Sequence, residues 1–251
     1  GAGISLKITD KARIVDWFVS YENKIPHWQV TCKNSSNCSL HYVVKDKNKI
    51  LDSGTIACTS EKVDFISAAV FENWSDSSPK LYELSLELID SEGKRLDFES
   101  RKWGARTIKV DNLRILVNGL PVFFRGVTEH CYFPLSCNAH FDKEQYLEDL
   151  GVLKQAGFNY IRCHTWCPPE EFYDACDELG LYVQTEAPSV YTFEEVEEIF
   201  KLIRKHPCAV IFCEGNEKYI DEDGIKRLEK VASLLKKKAP GVLFCPQEAI
   251  R

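Results

Sequence analysis

The chain has 251 residues, of which 44% are hydrophobic and 28% are charged, and its formal net charge is −6. This composition is typical of a folded globular protein and excludes an intrinsically disordered chain. The acidic balance gives no basis for a nucleic-acid partner or an anionic-membrane partner, and no apolar run reaches the roughly 18 to 20 residues that a membrane-spanning helix needs.

Cysteine usage favours free thiols over a disulfide framework. The sequence has eleven cysteines, an odd number, and no two of them form a C-x-x-C pair. Several fall in apolar stretches that we predict to be strands or a buried helix face, namely Cys163, Cys176, Cys213 and Cys245. Such cysteines behave as small hydrophobic residues. Free thiols favour a reducing compartment only weakly, so a cytoplasmic and a periplasmic location both stay open.

The chain up to about residue 110 predicts β-strands. Four stretches alternate or cluster β-branched and aromatic residues; they are HWQVTCK (27–33), LHYVVKD (40–46), KLYELSLELID (80–90) and RTIKV (106–110). Clusters of turn-forming residues lie at 34–37, 52–54, 75–79 and 90–93. Short strands about ten residues apart, without a convincing helix, predict a β-sandwich of the immunoglobulin type.

Helices and strands alternate after Asn112. The helix signals are Asp142 as an N-cap with a stop at Gly157, Pro168-Pro169 as a start with a stop at Gly180, the capping box of Thr192 and Glu195, and the apolar spacing of Ile225, Leu228, Val231 and Leu235. The predicted strands are VFFRGV (122–127), FNYIRC (158–163), LYVQT (181–185), AVIFC (209–213) and VLFC (242–245). Strands joined in this way must be parallel.

Two arrangements suit this alternation, an eight-stranded barrel and a doubly wound open sheet. No glycine-rich phosphate loop follows the first strand, which disfavours a dinucleotide-binding sheet. Polar residues recur where the strands end, at Glu129, His130, Arg162, His164, Glu186, Asn216 and Glu217. A barrel would gather these side chains at one mouth, where catalytic groups lie. Only five strands are visible before Arg251, so we expect an unfinished barrel.

Long blocks of the sequence resemble glycoside hydrolase family 2, which includes β-galactosidases, β-glucuronidases and β-mannosidases. These blocks are NWSDSSPKLYELSLELIDSEGKRLDFESRKWGART (73–107), ILVNGLPVFFRGVTEH (115–130), GFNYIRCHTWCPPEEFYDACDELGLYVQTEAP (157–188) and HPCAVIFCEGNE (206–217). The resemblance implies a multidomain chain, with an immunoglobulin-like β-sandwich over residues 1–110. The N-terminal portion of a (β/α)₈ TIM barrel would follow over residues 111–251.

By this resemblance Glu217 is the general acid/base of a retaining glycosidase. Such an enzyme needs two carboxyl groups roughly 5 Å apart, one that protonates the leaving oxygen and later deprotonates water, and one that attacks the anomeric carbon. Asn216 would hydrogen-bond the sugar 2-hydroxyl. Taken alone, the Asn-Glu pair is also consistent with a cap for the following helix, and that alternative stays open.

The resemblance implies substrate-binding roles for four further strand-end residues. Arg162 would orient the nucleophilic carboxylate through a forked pair, form a structural ion pair inside the barrel, or do both. His164 and His130 would contact sugar hydroxyls, although histidines that only support their neighbours are equally consistent. Glu186 would bind substrate or support the acid/base. The two weaker candidates, for sugar contact or for core packing, are Glu129 and Trp166.

The second carboxyl group, the nucleophile, is the missing part. The resemblance places it on the seventh barrel strand, beyond Arg251, and Glu248 is the only late carboxylate within the chain. We therefore expect this chain alone to be a truncated and inactive fragment. An unfinished barrel exposes two strand edges, which either a homo-oligomer or further residues that complete the barrel would cover.

Three functions stay open. The main prediction is hydrolysis of terminal β-glycosidic bonds in a carbohydrate, with no cofactor and no metal assigned. The alternative is a non-catalytic carbohydrate-binding or structural protein on the same fold, and a second carboxylate at the barrel mouth would decide between the two. A barrel isomerase or aldolase would need a phosphate site or a Schiff-base lysine at a strand end; the nearest lysine, Lys218, is expected to face solvent.

Overall fold

The computed structural model describes residues 6–248, which fall into two compact units. The first, called the sandwich unit below, contains the residues up to Asn73 together with Lys80–Ala105. The second, the barrel unit, contains Trp74–Pro79 together with the residues from Arg106 onward. Within residues 6–248, no helix has the length and apolar character to cross a membrane.

The sandwich unit consists of two antiparallel sheets. Its strands in chain order are β1 (Arg13–Glu22), β2 (Ile25–Lys33), β3 (Ser39–Asp46), β4 (Lys49–Ala57), β5 (Lys62–Ile66), β6 (Tyr82–Ile89) and β7 (Arg95–Trp103). One sheet has the order β1-β2-β5 and the other β4-β3-β6-β7. Along β6, Tyr82, Leu84, Leu86 and Leu88 are buried and alternate with more exposed residues. This period-two pattern is that of a sheet with one face on a core, and it confirms the predicted β-sandwich.

One predicted turn in the sandwich unit is wrong. We expected a turn at residues 52–54, whereas this stretch lies inside β4. The ring of Tyr42 lies over Gly54, where an added Cβ atom would come within 2.7 Å of the ring. The glycine therefore permits close packing between neighbouring strands, which is a common reason for glycine inside a strand.

The barrel unit begins with a small antiparallel sheet that we did not predict. Its strands are β8 (Ile108–Asp111), β9 (Arg114–Val117) and β10 (Leu120–Pro121), with β9 in the middle. The stretch RTIKV, which we expected in the sandwich, pairs with β9 instead. Asn112 lies in the turn between β8 and β9 with a φ of 48°, a conformation that asparagine tolerates.

Parallel strands and helices alternate through the rest of the barrel unit. They are β11 (Gly126–Glu129), α1 (Lys143–Gln155), β12 (Tyr160–Cys163), α2 (Glu170–Leu179), β13 (Tyr182–Glu186), α3 (Phe193–Ile203), β14 (Ala209–Cys213), α4 (Glu222–Lys238) and β15 (Leu243–Cys245). The five strands are neighbours in chain order, β11 to β15, and every pair is parallel. A doubly wound sheet reverses its strand order midway, so this order confirms a partial TIM barrel.

The first parallel strand begins later than predicted. We expected it over VFFRGV, whereas β11 starts at Gly126. The main-chain N–H of Val122 donates to a carbonyl of β9 at 3.0 Å, and that of Arg125 donates to Oδ1 of Asn159 at 2.7 Å. Because both groups bond outside the parallel sheet, these residues connect the small sheet to the barrel strands.

The predicted helix ends and the free cysteines are confirmed. Asp142 accepts a hydrogen bond from the main chain at the start of α1, and Thr192 with Glu195 forms the complete capping box of α3. Gly180 ends α2 with a φ of 73°, in the left-handed region that favours glycine. All eleven cysteines are free thiols.

Candidate functional site

The predicted site residues lie where the parallel strands end. Arg162 in β12 is the register partner of Thr128 in β11 and of Gln184 in β13. Because the carboxyl ends of parallel strands meet at one edge of a sheet, the same edge also carries the residues that end or follow β11, β12, β13 and β14, which include His130, His164, Glu186, Asn216 and Glu217.

Arg162 connects three neighbouring strand ends. Its Nε atom donates to Oε1 of Glu186 at 2.6 Å, and its Nη2 atom donates to Oδ1 of Asn216 at 2.6 Å. Burial lowers the pKa of Arg162, but the hydrogen bond and the charge of Glu186 outweigh this effect, so the pKa is raised from its ordinary value. The guanidinium therefore stays charged and fixes Asn216 relative to Glu186.

The Glu186 carboxylate is fully buried, with 0% of its side chain exposed. Besides Arg162, the side-chain amide of Gln184 donates to Oε1 at 3.0 Å, and the main-chain N–H of Thr165 donates to Oε2 at 2.8 Å. A buried carboxylate is tolerated only when it is paired and hydrogen-bonded in this way. The ion pair that we left open for Arg162 is therefore present, with Glu186 as its partner.

Asn216 and Glu217 lie in the loop after β14, and Glu248, in the segment after β15, holds their main chain in place. Asn216 forms an isolated parallel bridge with Glu248, the Glu217 N–H donates to the Glu248 carbonyl at 3.0 Å, and the Glu248 N–H donates to the Gly215 carbonyl at 3.0 Å. Glu217 is exposed and has a φ of 51°. A glutamate in the left-handed region is strained, and such strain persists where surrounding bonds hold it.

The Asn-Glu pair is not the cap of the following helix. Helix α4 begins at Glu222, and its N-cap is Asp221, whose carboxylate accepts the main-chain N–H of Gly224 at 2.7 Å. This finding removes the alternative that the sequence left open. The pair belongs to the strand end, where Asn216 accepts a hydrogen bond from Arg162.

The two predicted histidines lie side by side at the first two strand ends. The ring centroids of His130 and His164 are 4.6 Å apart, and their planes make an angle of 53°. The main-chain N–H of His164 donates to the Glu129 carbonyl at 2.8 Å, which holds the two strand ends together. His130 is exposed and His164 is half-buried, so both rings are open to a small molecule.

The weaker candidates have local packing roles. Oε1 of Glu129 accepts the main-chain N–H of Tyr132 at 3.4 Å. The Trp166 ring lies 6.2 Å from Phe133 and 6.2 Å from Phe172, measured between ring centroids, in edge-to-face contacts. These contacts favour the core-packing alternative for Trp166.

A buried carboxylate that we did not predict lies two residues before Asn216. The Glu214 side chain is 1% exposed; its Oε1 accepts the hydroxyl of Tyr191 and lies 3.0 Å from Nε of Arg227 and 3.5 Å from Nζ of Lys218. Our prediction that Lys218 faces solvent is therefore wrong, because its ammonium also donates to the Glu214 carbonyl at 3.2 Å. A carboxylate directly after the apolar stretch AVIFC was the available sequence signal.

The Glu214 cluster stabilises the loop that carries Asn216 and Glu217. Lys218 donates a hydrogen bond to the Glu214 carbonyl across this loop, and Arg227 of helix α4 pairs with the Glu214 carboxylate. Burial, together with the hydrogen bond and the charge of Glu214, raises the pKa of Tyr191, so this phenol remains a hydrogen-bond donor.

Within residues 6–248, two groups of side chains in the barrel unit bring together potential metal ligands. Within the first, Cys213, Cys245 and Glu248, the ligand atoms all lie within 4.8 Å of one another. The hydrogen bond between the two thiols, followed by burial, raises the pKa of Cys213, and the same bond lowers the pKa of Cys245. Of the two thiols, Cys245 is therefore the one that loses its proton first.

The second group, Asp174, Asp177 and His206, lies away from the strand ends and has a structural role. Nδ1 of His206 is 2.7 Å from Oδ2 of Asp177, and Oδ1 of Asp177 accepts the main-chain N–H of Cys208 at 2.9 Å. The imidazole stacks on Tyr173 with 5.2 Å between ring centroids. This buried pair ties the end of α2 to the start of β14.

Comparison with known protein families matches both parts of the chain. A family model described as "Glycosyl hydrolases family 2" matches residues 12–106, and one described as "Glycosyl hydrolases family 2, TIM barrel domain" matches residues 108–194. The first match lies in the strand-rich part, and the second covers β8 to β13 and the start of α3. Together the two matches cover most of the chain.

The chain is similar to much longer β-galactosidases. It is 32% identical over 162 residues to a β-galactosidase from Yersinia enterocolitica, an alignment that covers 57% of this chain and 15% of that protein. It is 36% identical over 116 residues to a β-galactosidase from Alteromonas mediterranea, covering 46% of this chain and 11% of that protein. The matched region is therefore a small part of these relatives.

Solved structures share the fold. A glycosyl hydrolase family 2 member from Bacteroides cellulosilyticus has a TM-score of 0.82 at 20% identity, over 97% of this chain and 36% of that one. A β-glucuronidase from Ruminococcus gnavus, solved with D-glucuronic acid, has a TM-score of 0.77 at 20% identity, over 91% of this chain and 41% of that one. At this identity the likeness shows the fold alone.

Proposed function

The chain belongs to glycosyl hydrolases family 2, and we propose that it supplies the acid/base half of a retaining β-glycosidase site that acts on carbohydrates. The observation that carries this proposal is the bridge from Arg162 to Glu186 and Asn216. It joins the ends of β12, β13 and β14 and fixes the residue immediately before Glu217.

The bridge sets the orientation of the Asn216 amide. A guanidinium only donates hydrogen bonds, so the amide oxygen must face Arg162, and the amide nitrogen must face away from it. The two N–H groups of Asn216 are then oriented to donate to a sugar hydroxyl. We assign to Asn216 the hydrogen bond to the sugar 2-hydroxyl, a contact that strengthens in the oxocarbenium-like transition state.

We assign the acid/base role to Glu217. Its side chain is exposed at the strand ends, and its main chain is held by the Glu248 carbonyl. An acid/base must reach both the leaving-group oxygen and, later, the attacking water, which suits an accessible carboxyl on a firmly held loop. By contrast, Glu186 and Glu214 are buried.

The nucleophile remains to be supplied. Among residues 6–248, Glu186 is engaged by Arg162, Gln184 and Thr165, and Oε1 of Glu248 accepts from Gln184 at 3.0 Å. Glu186 is therefore not available at a sugar carbon, and the resemblance places the nucleophile on a later barrel strand rather than at Glu248. We therefore expect the chain by itself to show no turnover, and we expect the nucleophile to come from a segment outside it.

The test uses the full-length gene product that contains this sequence, with a panel of nitrophenyl β-glycosides. Glu217→Ala should lose nearly all turnover of substrates with poor leaving groups. It should still release dinitrophenolate from dinitrophenyl glycosides in the first step, which needs no proton, while hydrolysis of the glycosyl-enzyme becomes slow. Added azide should rescue this variant and give a β-glycosyl azide, because the base is no longer required for an anionic nucleophile. Glu229→Gln, at an exposed position of α4, is the matched control.

The outcomes separate the two functions that the sequence left open. Equal turnover by the parent and by Glu217→Ala would remove Glu217 from the mechanism. A parent that binds sugars but turns over none of the glycosides would favour the non-catalytic carbohydrate-binding function. That second function is consistent with the engagement of both Glu186 and Glu248 by neighbouring groups.

A further inference from the structure

Two cysteines end neighbouring strands directly beside the Asn216–Glu248 bridge. Cys213 is the last residue of β14 and Cys245 the last of β15, and the two are register partners in the parallel sheet. Register partners on parallel strands direct their side chains to the same face. The β-bridge between Asn216 and Glu248 places Glu248 at the same strand end, so two thiols and a carboxylate lie close together.

The separations among these three side chains suit a single metal ion. The two Sγ atoms and a carboxylate oxygen all lie within 4.8 Å of one another, and Sγ of Cys245 is 4.0 Å from Oε1 of Glu248. With metal–sulfur bonds of about 2.3 Å and a metal–oxygen bond of about 2.1 Å, a tetrahedral site places its ligand atoms roughly 3.6 to 3.8 Å apart. Each side chain therefore needs to move by less than about 1 Å.

We propose that Cys213, Cys245 and Glu248 bind one thiophilic divalent cation of the Zn²⁺ class. Two thiolates are soft ligands, which favour zinc-like ions over the oxygen-seeking Mg²⁺ and Ca²⁺. Three protein ligands leave the fourth tetrahedral position for water. This proposal does not depend on the acid/base role of Glu217.

Groups around the three ligands support the site. The Gln184 amide donates to Oε1 of Glu248 at 3.0 Å, and the Tyr160 hydroxyl donates to the Gln184 amide oxygen. Hydrogen bonds of this kind orient a ligating carboxylate. Cys213 is buried, whereas Cys245 and Glu248 are half-buried, so an ion can enter from the side of Cys245 and Glu248.

Cobalt is the probe, because Co²⁺ occupies zinc sites and its spectrum reports the ligands. The protein is reduced with a non-thiol reductant, treated with EDTA, and titrated with Co²⁺ without oxygen. We expect a near-ultraviolet thiolate-to-cobalt band and the strong visible bands of a four-coordinate ion. Both should saturate at one Co²⁺ per chain and disappear when one equivalent of Zn²⁺ is added.

The variants identify the ligands. Cys213→Ser and Cys245→Ser should each remove at least half of the thiolate band, and Glu248→Gln should weaken Co²⁺ binding by at least about tenfold. Cys131→Ser is the matched control, since Cys131 is an exposed cysteine of the same unit, and it should leave the band unchanged. If Cys213→Ser does not fold, the band of Cys245→Ser tests the proposal, because Cys245 is only half-buried and its substitution disturbs the core less.

Three results would each overturn the proposal: no Co²⁺ bound, a weak six-coordinate spectrum without a thiolate band, or a full band that persists in Cys245→Ser. A band lost in Cys131→Ser and kept in Cys245→Ser would assign the binding to exposed thiols. This experiment does not measure glycosidase activity. A failure of the metal-site proposal can therefore be distinguished from a failure of the proposed function.

Discussion

Replacing Arg162 by methionine tests whether the strand-end bridge stabilises the barrel unit. Methionine keeps the length and the apolar stem of arginine, and it removes the donors to Glu186 and Asn216. The Glu186 carboxylate would then be left at 0% exposure with hydrogen bonds from Gln184 and Thr165 only. A buried charge that loses its counter-charge is strongly destabilising.

The magnitude follows from burial. Removing one partner of a buried ion pair costs about 3 to 5 kcal/mol. The Arg162 side chain is 22% exposed, so water replaces part of the lost interaction, and we expect about 3 kcal/mol for Arg162→Met. Adding Glu186→Gln should restore at least about 1 kcal/mol, because the double variant no longer buries an unpaired charge.

Cysteine labelling measures this change separately in each unit. Cys163, Cys176 and Cys208 are fully buried in the barrel unit, and Cys32 is fully buried in the sandwich unit. A short pulse of alkylating reagent at increasing urea, followed by peptide mass spectrometry, gives an unfolding midpoint for each cysteine. The barrel-unit cysteines should become reactive at lower urea in Arg162→Met, and Cys32 serves as the internal reference.

An exposed ion pair provides the matched control. Arg95 is 60% exposed and lies 3.3 Å from Glu87 on the sandwich unit, so Arg95→Met should change stability by no more than about 0.5 kcal/mol. If Arg162→Met and Glu186→Gln destabilise additively, with no recovery in the double variant, then the pair does not act as a unit and the reasoning fails.

Two further predictions concern the barrel unit. Gly180→Ala should lower its free energy of unfolding by about 1 to 3 kcal/mol, because φ is 73° and the new Cβ would lie 2.6 Å from the Asp76 carbonyl. The control Gly151→Ala, in α1 with open space around it, should not destabilise the unit. Equal urea midpoints for Gly180→Ala and the parent would contradict this prediction. Burial lowers the pKa of His206, but the charge and hydrogen bond of Asp177 raise it more, to above its ordinary 6.5. The stability from this pair should therefore be complete below about pH 6.5 and fall as the pH rises through the folded pKa, and urea midpoints of His206→Asn should lack this fall.

Local signals predicted the elements well, because they act within a few residues. The caps Asp142 and Thr192 and the stop at Gly180 form contacts inside their own helices. Strand pairing is not local, and RTIKV has the same period-two character whichever sheet it joins, so its place beside β9 could not be read from it. Gly54 was misread for a similar reason, since the ring that lies over it belongs to another strand.

The site could be predicted as a place but not as a set of bonds. The strand-end rule needs only the order of the elements, and it indicated the edge where Arg162, Glu186 and Asn216 meet. The Glu214 cluster needs the packing of α4 and of the loop before α3, which bring Arg227 and Tyr191 to one carboxylate. The sequence spacing of Tyr191, Glu214 and Arg227 does not indicate that these side chains lie close together.

The geometry of Arg162 is compatible with both of the roles that the resemblance implies for it. Arg162 has five N–H donors in a fixed fork. Its Nε donates to Glu186 and its Nη2 donates to Asn216. We expect a nucleophilic carboxylate from another segment to use the remaining N–H donors of Arg162, which would leave the pair with Glu186 intact. On this proposal the ion pair with Glu186 holds the guanidinium in place, and its remaining N–H donors orient the second carboxylate.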